Sequence, residues 1–323
     1  MKILQRTSAV VVAIVAAGAC ALALAVWLGG PKPIAPLDSI NEPFAHVDYS
    51  SLPGVQRYPA RDGTALAYRH YAPATSGTAT RRIVLVHGSS ASSRSMYSLA
   101  QALTAAGFTV DALDMRGHGD SGPHGQAAYV GQLEDDLKDF IRAVPFAGPS
   151  TLLGFSSGGG FVLRFAGGAR QSLFDRYVLL SPFLRYNAPT LRPASSGWAS
   201  VGMPRMISLR VLNQLGITAW NSLPVIEFAL NAAARPFLTA SYSYTLATNF
   251  GPHDDYEADI RSAHAPMQLL AGTDDELMVA NRYASTFAAA GKPVPVTLVH
   301  GAGHIGLTLA PAALRSIVTA CQS

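Results

Sequence analysis

Gly154-Phe155-Ser156-Ser157-Gly158 is the stretch on which the reading of this chain turns. A short apolar run, Thr151–Gly154, leads into it with the length of a buried strand, and Gly159–Ala166 follows with the look of a helix. A serine on so sharp a strand-to-helix turn has its Oγ pushed clear of the backbone. Glycines two residues to either side remove the side chains that would clash at the bend. The pentapeptide alone also suits a glycine-rich turn without chemistry. The strand before it and the helix after it are what make Ser156 a candidate nucleophile.

Outward from this turn, short apolar runs alternate with helical spacing, which predicts βα units and a mainly parallel sheet. Val55–Tyr58 and Ala65–Tyr71 read as an antiparallel pair around Asp62-Gly63. Ile83–Val86, Phe108–Leu113 and Tyr177–Leu180 read as strands. Ser95–Ala106 and Tyr129–Val144 read as helices, the second with Val130, Leu133, Leu137, Phe140 and Ile141 inward and Glu134, Asp135, Lys138 and Asp139 outward. The rhythm stops between about 182 and 266, where irregular helical stretches are broken by Pro193, Pro204, Pro224 and Pro236. Such an insertion exceeds an ordinary loop and predicts a helical cap or lid. Strand, helix, strand, helix then resume at Met267–Ala271, Ala280–Ala290, Val296–Val299 and Ala312–Ala320.

A serine hydroxyl needs a base, and the base needs an orienting carboxylate, in the chain order Ser, Asp or Glu, His. Of His253, His264, His300 and His304, only the last two follow the final predicted strand. His304 sits in the flexible loop Gly301-Ala302-Gly303-His304-Ile305-Gly306 and is the candidate base. His300 ends the strand and is expected half-buried against the sheet. The carboxylate should end the preceding strand, at Gly272-Thr273-Asp274-Asp275-Glu276. Asp275 is chosen, with Asp274 as the alternative and Glu276 as a charge near a helix start. Donors for a tetrahedral oxyanion are expected from the backbone N–H groups of Ser89, after the strand ending at His87-Gly88, and of Ser157. His87 is expected to orient its loop.

His87-Gly88, Asp114-Met115-Arg116-Gly117-His118-Gly119-Asp120-Ser121-Gly122, the serine turn, Gly272-x-x-Asp275 and Gly303-His304 stand in an order that resembles the α/β-hydrolase superfamily across about residues 55–320. The resemblance is to the bacterial branch of monoacylglycerol lipases, lysophospholipases and serine aminopeptidase-like hydrolases. It implies an α/β-hydrolase fold, a mostly parallel sheet with helices on both faces and an inserted helical cap. It further implies that Asp114 and the Arg116–Gly119 loop support the site. The expected activity is hydrolysis of a carboxylic ester, lipid-like in kind, through an acyl-enzyme, with no metal and no organic cofactor. A peptidase or amidase on the same triad is the alternative, and a non-catalytic binding protein on this fold a third. Between 186 and 250 stand Arg192, Arg205, Arg210 and Arg235 but only one acid, Glu227, which disfavours an amine substrate. Of the apolar residues of the same stretch, Trp198, Met203, Met206, Ile207, Leu209, Val211, Leu212, Leu215, Ile217, Trp220, Leu223, Val225, Ile226, Phe228, Leu230 and Phe237, roughly two-thirds are expected to pack the cap and the remainder to line a cleft above Ser156.

The remaining composition narrows the class. The chain has 323 residues, 49% of them hydrophobic and 14% charged, which excludes disorder. A formal charge of +4 without a basic run leaves no nucleic-acid footprint. Two cysteines, Cys20 and Cys321, exclude a disulfide scaffold. Lys2 and Arg6 precede an uncharged stretch, Thr7 to Pro31, whose apolar heart Ala9–Leu28 matches the roughly 20 residues that span a bilayer. Residues 1–30 are therefore expected to be a membrane signal anchor. The domain would then lie outside the cytoplasm or, on the competing readings, be exported after signal cleavage near Ala21–Ala25 or processed at Cys20. Residues 31–53, with five prolines among them, read as an extended linker to a domain of 54–323.

Overall fold

The computed structural model describes residues 2–73, 81–193 and 197–323, and for 2–11 and 41 the backbone alone. After helices α1 (Lys2–Leu28) and α2 (Asp38–Asn41) come strands β1 (Val55–Pro59), β2 (Ala65–Tyr71) and β3 (Arg82–Val86). Helix α3 (Tyr97–Ala105), β4 (Thr109–Leu113), α4 (Gln132–Ala143), β5 (Ser150–Phe155), α5 (Ser157–Gly167) and β6 (Arg176–Leu180) continue the alternation. The insertion holds β7 (Ala199–Val201), α6 (Met203–Gln214), β8 (Pro224–Phe228), β9 (Ser241–Ser243), α7 (Tyr244–Asn249) and α8 (Tyr256–Ser262). The chain closes with β10 (Met267–Gly272), α9 (Tyr283–Ala289), β11 (Val296–Val299) and α10 (Pro311–Gln322).

Eight strands form one sheet in the order β1-β2-β4-β3-β5-β6-β10-β11, antiparallel at β1–β2 and β2–β4 and parallel elsewhere. Every residue of β3 and β4 is buried, as continuous apolar runs covered on both faces should be. The polar exceptions in these strands pair with each other: Arg82 Nε lies 2.6 Å from Asp111 Oδ2 on the adjacent strand, and the guanidinium covers the Phe140 ring. The parallel strands all aim their C-terminal ends at one edge of the sheet, where ligand sites of open α/β sheets assemble.

Three parts of the fold differ from the sequence reading. Asp135 and Asp139 of α4 are buried, because Arg61 and Arg170 close over the acidic face: Arg61 holds Asp139 at 3.0 Å and Asp135 at 2.7 Å. Val130 precedes the helix, which starts after Gly131 at φ +97°, and is exposed. The insertion is only partly helical. Its β7, β8 and β9 form a small antiparallel sheet whose strands are too short to register as periodicity.

The third difference concerns the N-terminal segment. Residues 31–53 do not stand off as a bare linker. The Leu37 N–H donates to the Ala229 carbonyl at 3.0 Å, and Ile40 is buried in the main core beside apolar residues of the insertion. Prolines fix an extended backbone there but do not prevent the apolar residues between them from packing. The last turn of α1 also docks on the insertion: Val26 is buried with Leu209, Val225 and Tyr244. Arg205 donates from Nε to the Val26 carbonyl at 2.6 Å and from Nη2 to that of Trp27 at 3.0 Å, satisfying carbonyls that a helix end leaves without partners. Among the described residues no helix is long and apolar enough to cross a membrane. The flanking Lys2 and Arg6 side chains lie outside the described residues.

Candidate active site

Ser156 occupies the turn between β5 and α5 with φ +55° and ψ −120°, a conformation costing about 1–3 kcal/mol for a residue with a side chain. Neighbouring bonds enforce it: the Ser156 N–H donates to the Leu180 carbonyl at 2.9 Å, and the Ser156 carbonyl accepts from Gly160 at 3.0 Å. The flanking glycines are required by contact. A Cβ on Gly154 would lie 2.3 Å from the Gly158 carbonyl oxygen, and one on Gly158 would lie 2.1 Å from that of His87.

Three loops at the sheet edge bring the predicted residues together. His304 Nε2 lies 2.9 Å from Ser156 Oγ, and His304 Nδ1 lies 2.8 Å from Asp275 Oδ2. The second Asp275 oxygen accepts the backbone N–H groups of Leu277, at 2.9 Å, and Met278, at 2.7 Å. All three side chains are buried. Burial pushes the Asp275 carboxyl up, but the His304 hydrogen bond and charge and the Met278 N–H outweigh it, so its pKa lies below the ordinary carboxylate value. With Asp275 ionised and bonded to Nδ1, the imidazole carries its proton on Nδ1 and turns a lone pair toward Ser156.

Asp274 points elsewhere, to the Thr273 hydroxyl at 2.9 Å. Glu276 begins no helix, the next helical turn starting at Ala280; its Oε2 accepts the His304 backbone N–H at 2.8 Å and so fixes the loop that carries the imidazole. His300 is exposed beyond the end of β11 and not half-buried, because the edge strand has no cover there. Ser89 and Ser157 flank Ser156, and their hydroxyls are hydrogen-bonded to each other. Among the described residues the backbone N–H groups of both have no protein acceptor, and the one on Ser157 is an orphan donor of the first turn of α5. His87 Nδ1 faces the Gly88 carbonyl at 2.7 Å and its Nε2 accepts the Met115 N–H at 3.2 Å, so the ring splices two loops. Asp114 accepts the N–H groups of Ser93, at 2.6 Å, and Asp120, at 2.9 Å.

Above Ser156 lies a cleft of about 490 Å³. Of the apolar residues expected there, Trp198, Ile226 and Phe228 line it, whereas the candidates from Met203 to Val225, with Leu230 and Phe237, do not; Leu209 and Val225 pack instead against Val26 and Tyr244. The sequence reading missed Ile40 and Phe44, which come from the segment taken as a linker and line the same cleft. Their apolar spacing with Ile34 and Leu37 was the available signal. The cap arginines are engaged: Arg210 with Asp254 at 2.8 Å, Arg235 with Glu227 at 3.3 Å, and Arg205 with the end of α1. Arg192 reaches the cleft, with its Nε on the Asp275 carbonyl at 2.8 Å.

A profile of the hydrolase family described as serine aminopeptidase, S33, matches residues 77–307. The chain belongs to this family. Within the S33 family setting, a monoacylglycerol lipase of Mycolicibacterium smegmatis is 37% identical over 127 residues, which are 37% of this chain and 43% of that protein. The matched part thus spans less than half of that relative. Among solved structures, a soluble variant of monoglyceride lipase from Saccharomyces cerevisiae superposes with a TM-score of 0.66 at 17% identity, covering 87% of this chain and 97% of that one. A monoacylglycerol lipase of Paleococcus ferrophilus gives 0.58 at 22% identity, covering 79% and 97%. At these identities the superpositions establish the α/β-hydrolase fold.

Proposed function

We propose that this S33-family hydrolase is a serine-dependent esterase acting on lipid-like acyl esters of the monoacylglycerol or lysophospholipid type. The observation that carries the reading is the unbroken hydrogen-bonded series Ser156–His304–Asp275 at the floor of an apolar cleft. Ser156 Oγ attacks the acyl carbonyl carbon while its proton passes to His304 Nε2. The N–H groups of Ser89 and Ser157 receive the negative charge that develops on the carbonyl oxygen. The imidazolium, held by Asp275, then gives its proton to the departing alkoxide, leaving an acyl-enzyme. Water, deprotonated by the same imidazole, attacks that ester and releases the carboxylic acid and free Ser156.

The family description names aminopeptidases, which keeps amide hydrolysis as the competing reading. Recognition of a substrate amine would call for a carboxylate in the cleft. The lining has none among the described residues, and Glu227, the one acid between 186 and 250, is committed to Arg235. The Mycolicibacterium smegmatis relative, named a monoacylglycerol lipase and matched over 43% of its length, supports the ester reading. For residues 1–30 a membrane anchor with the catalytic domain beyond the cytoplasm remains part of the proposal. It is supported by Lys2 and Arg6 ahead of the uncharged run. Fractionation with protease accessibility of spheroplasts tests it, and a soluble shortened product overturns it. The esterase itself is tested by fluorophosphonate labelling: the wild type is expected to label and Ser156→Ala not to. Equal labelling of both would refute Ser156 as the nucleophile.

A further inference from the structure

The donor loop Gly88–Ser90 is held from the cap, by the Thr239 backbone and by the Tyr242 side chain. Ser90 sits at φ +63°, a backbone conformation that a serine adopts only under constraint. Three hydrogen bonds supply the constraint. The Ser90 N–H donates to Tyr242 Oη at 2.5 Å, the Ser90 Oγ donates to the Thr239 carbonyl at 2.7 Å, and the Thr239 N–H donates to the Ser90 carbonyl at 2.7 Å. Thr239 and Tyr242 belong to the segment that enters and forms β9 of the insertion.

The direction of the bonds at Tyr242 follows from its other partner. His118 Nδ1 faces two backbone carbonyls, of Arg116 at 3.1 Å and Met115 at 3.3 Å, so that nitrogen must carry the proton. Its Nε2 is then an acceptor and takes the Tyr242 hydroxyl proton at 2.6 Å. The Tyr242 oxygen is left with lone pairs only, and one of them receives the Ser90 N–H. Burial, with the neighbouring His87, holds the His118 pKa well below its ordinary value, and burial pushes the Tyr242 phenol up, so both stay neutral and the polarity of the relay is fixed. The Ser90 amide is thereby consumed. The adjacent Ser89, which lines the cleft, keeps an amide without a protein acceptor among the described residues.

On the esterase reading above, we propose that Tyr242 is a positioning residue for the oxyanion-binding loop. Its hydroxyl, oriented by His118, fixes the Ser90 peptide so that the Ser89 N–H points at the developing charge. The oxyanion site is thus completed by the cap and not by the core alone. A cap that swings wholly away would dismantle it.

The test is Tyr242→Phe, which keeps the ring and removes only the hydroxyl, assayed beside the wild type with a short-chain p-nitrophenyl ester. The variant is expected to lose about 10- to 100-fold in kcat with KM within about twofold, and to lose a similar factor in its rate of fluorophosphonate inactivation, because both reactions build charge on the oxyanion. A residue that merely packs the cleft wall would raise KM and leave kcat alone, and that result overturns the assignment. Amide hydrogen exchange of Ser90 in the wild type gives a reading that needs no variant: slow exchange is expected, and fast exchange refutes the clamp. Absence of ester turnover by the wild type would overturn the esterase reading and this assignment together. Wild-type turnover with an unchanged kcat in Tyr242→Phe would overturn this assignment alone.

Discussion

The floor and the roof of the cleft are built on different principles. The floor is the C-terminal edge of a sheet in which β3 and β4 are buried along their whole length and β5 at all but its first residue, and each active-site loop leaves a strand of fixed register. The roof is a set of short strands with many side chains half-exposed, joined by Ile40 and Phe44 from the N-terminal segment. The floor positions Ser156, His304 and Asp275 through backbone geometry that the core over-determines. The roof contributes apolar surface and the Tyr242 contact to the donor loop. Chemistry should therefore be unforgiving of change on the floor and at Tyr242, whereas the choice of substrate should respond to change in the rest of the roof.

Floor substitutions are expected to have the largest effects. Ser156→Ala should lower kcat for ester hydrolysis by at least about 10⁴-fold, with folding intact by circular dichroism. Asp275→Asn should cost about 10³–10⁴-fold, since the amide no longer holds the imidazole in the required tautomer. Asp274→Asn, one residue away on the exposed side, should stay within about twofold. The ratio of the two kcat/KM values checks the register of the loop after β10, and a costly Asp274→Asn would reverse the assignment. In the roof, Phe44→Ala should lower kcat/KM for a long acyl ester by about fivefold while leaving an acetate ester unchanged. Uniform loss across chain lengths would show that Phe44 supports folding and not the acyl wall.

The same contrast explains what could be read in advance. The central strands were legible because burial on both faces demands continuous apolar runs, and the loops that follow carry glycines where no Cβ fits, as at Gly154 and Gly158. The order Ser, Asp, His followed from the order of those strands. The choice between Asp274 and Asp275 was not legible from composition, because it depends on which carboxylate the turn after β10 aims inward. Glu276 was taken for a helix-start charge because its bond to the His304 backbone joins segments 28 residues apart. Asp135 and Asp139 looked solvated because their partners, Arg61 and Arg170, lie far away along the chain. Ile40 and Phe44 were hidden by the prolines around them. Tyr242 was one aromatic among several, and only its hydroxyl contacts with Ser90 and His118 distinguish it.

The most direct test of an apolar acyl cleft above a serine nucleophile is kcat/KM measured across a series of esters with one leaving group and acyl chains from acetate upward, using the full chain. Each methylene that enters the cleft stabilises the bound chain by up to about 0.8 kcal/mol, or up to about fourfold in kcat/KM. The expected profile rises with chain length until the cleft is filled and then levels. A profile that is highest for acetate and falls steadily with length would contradict the account.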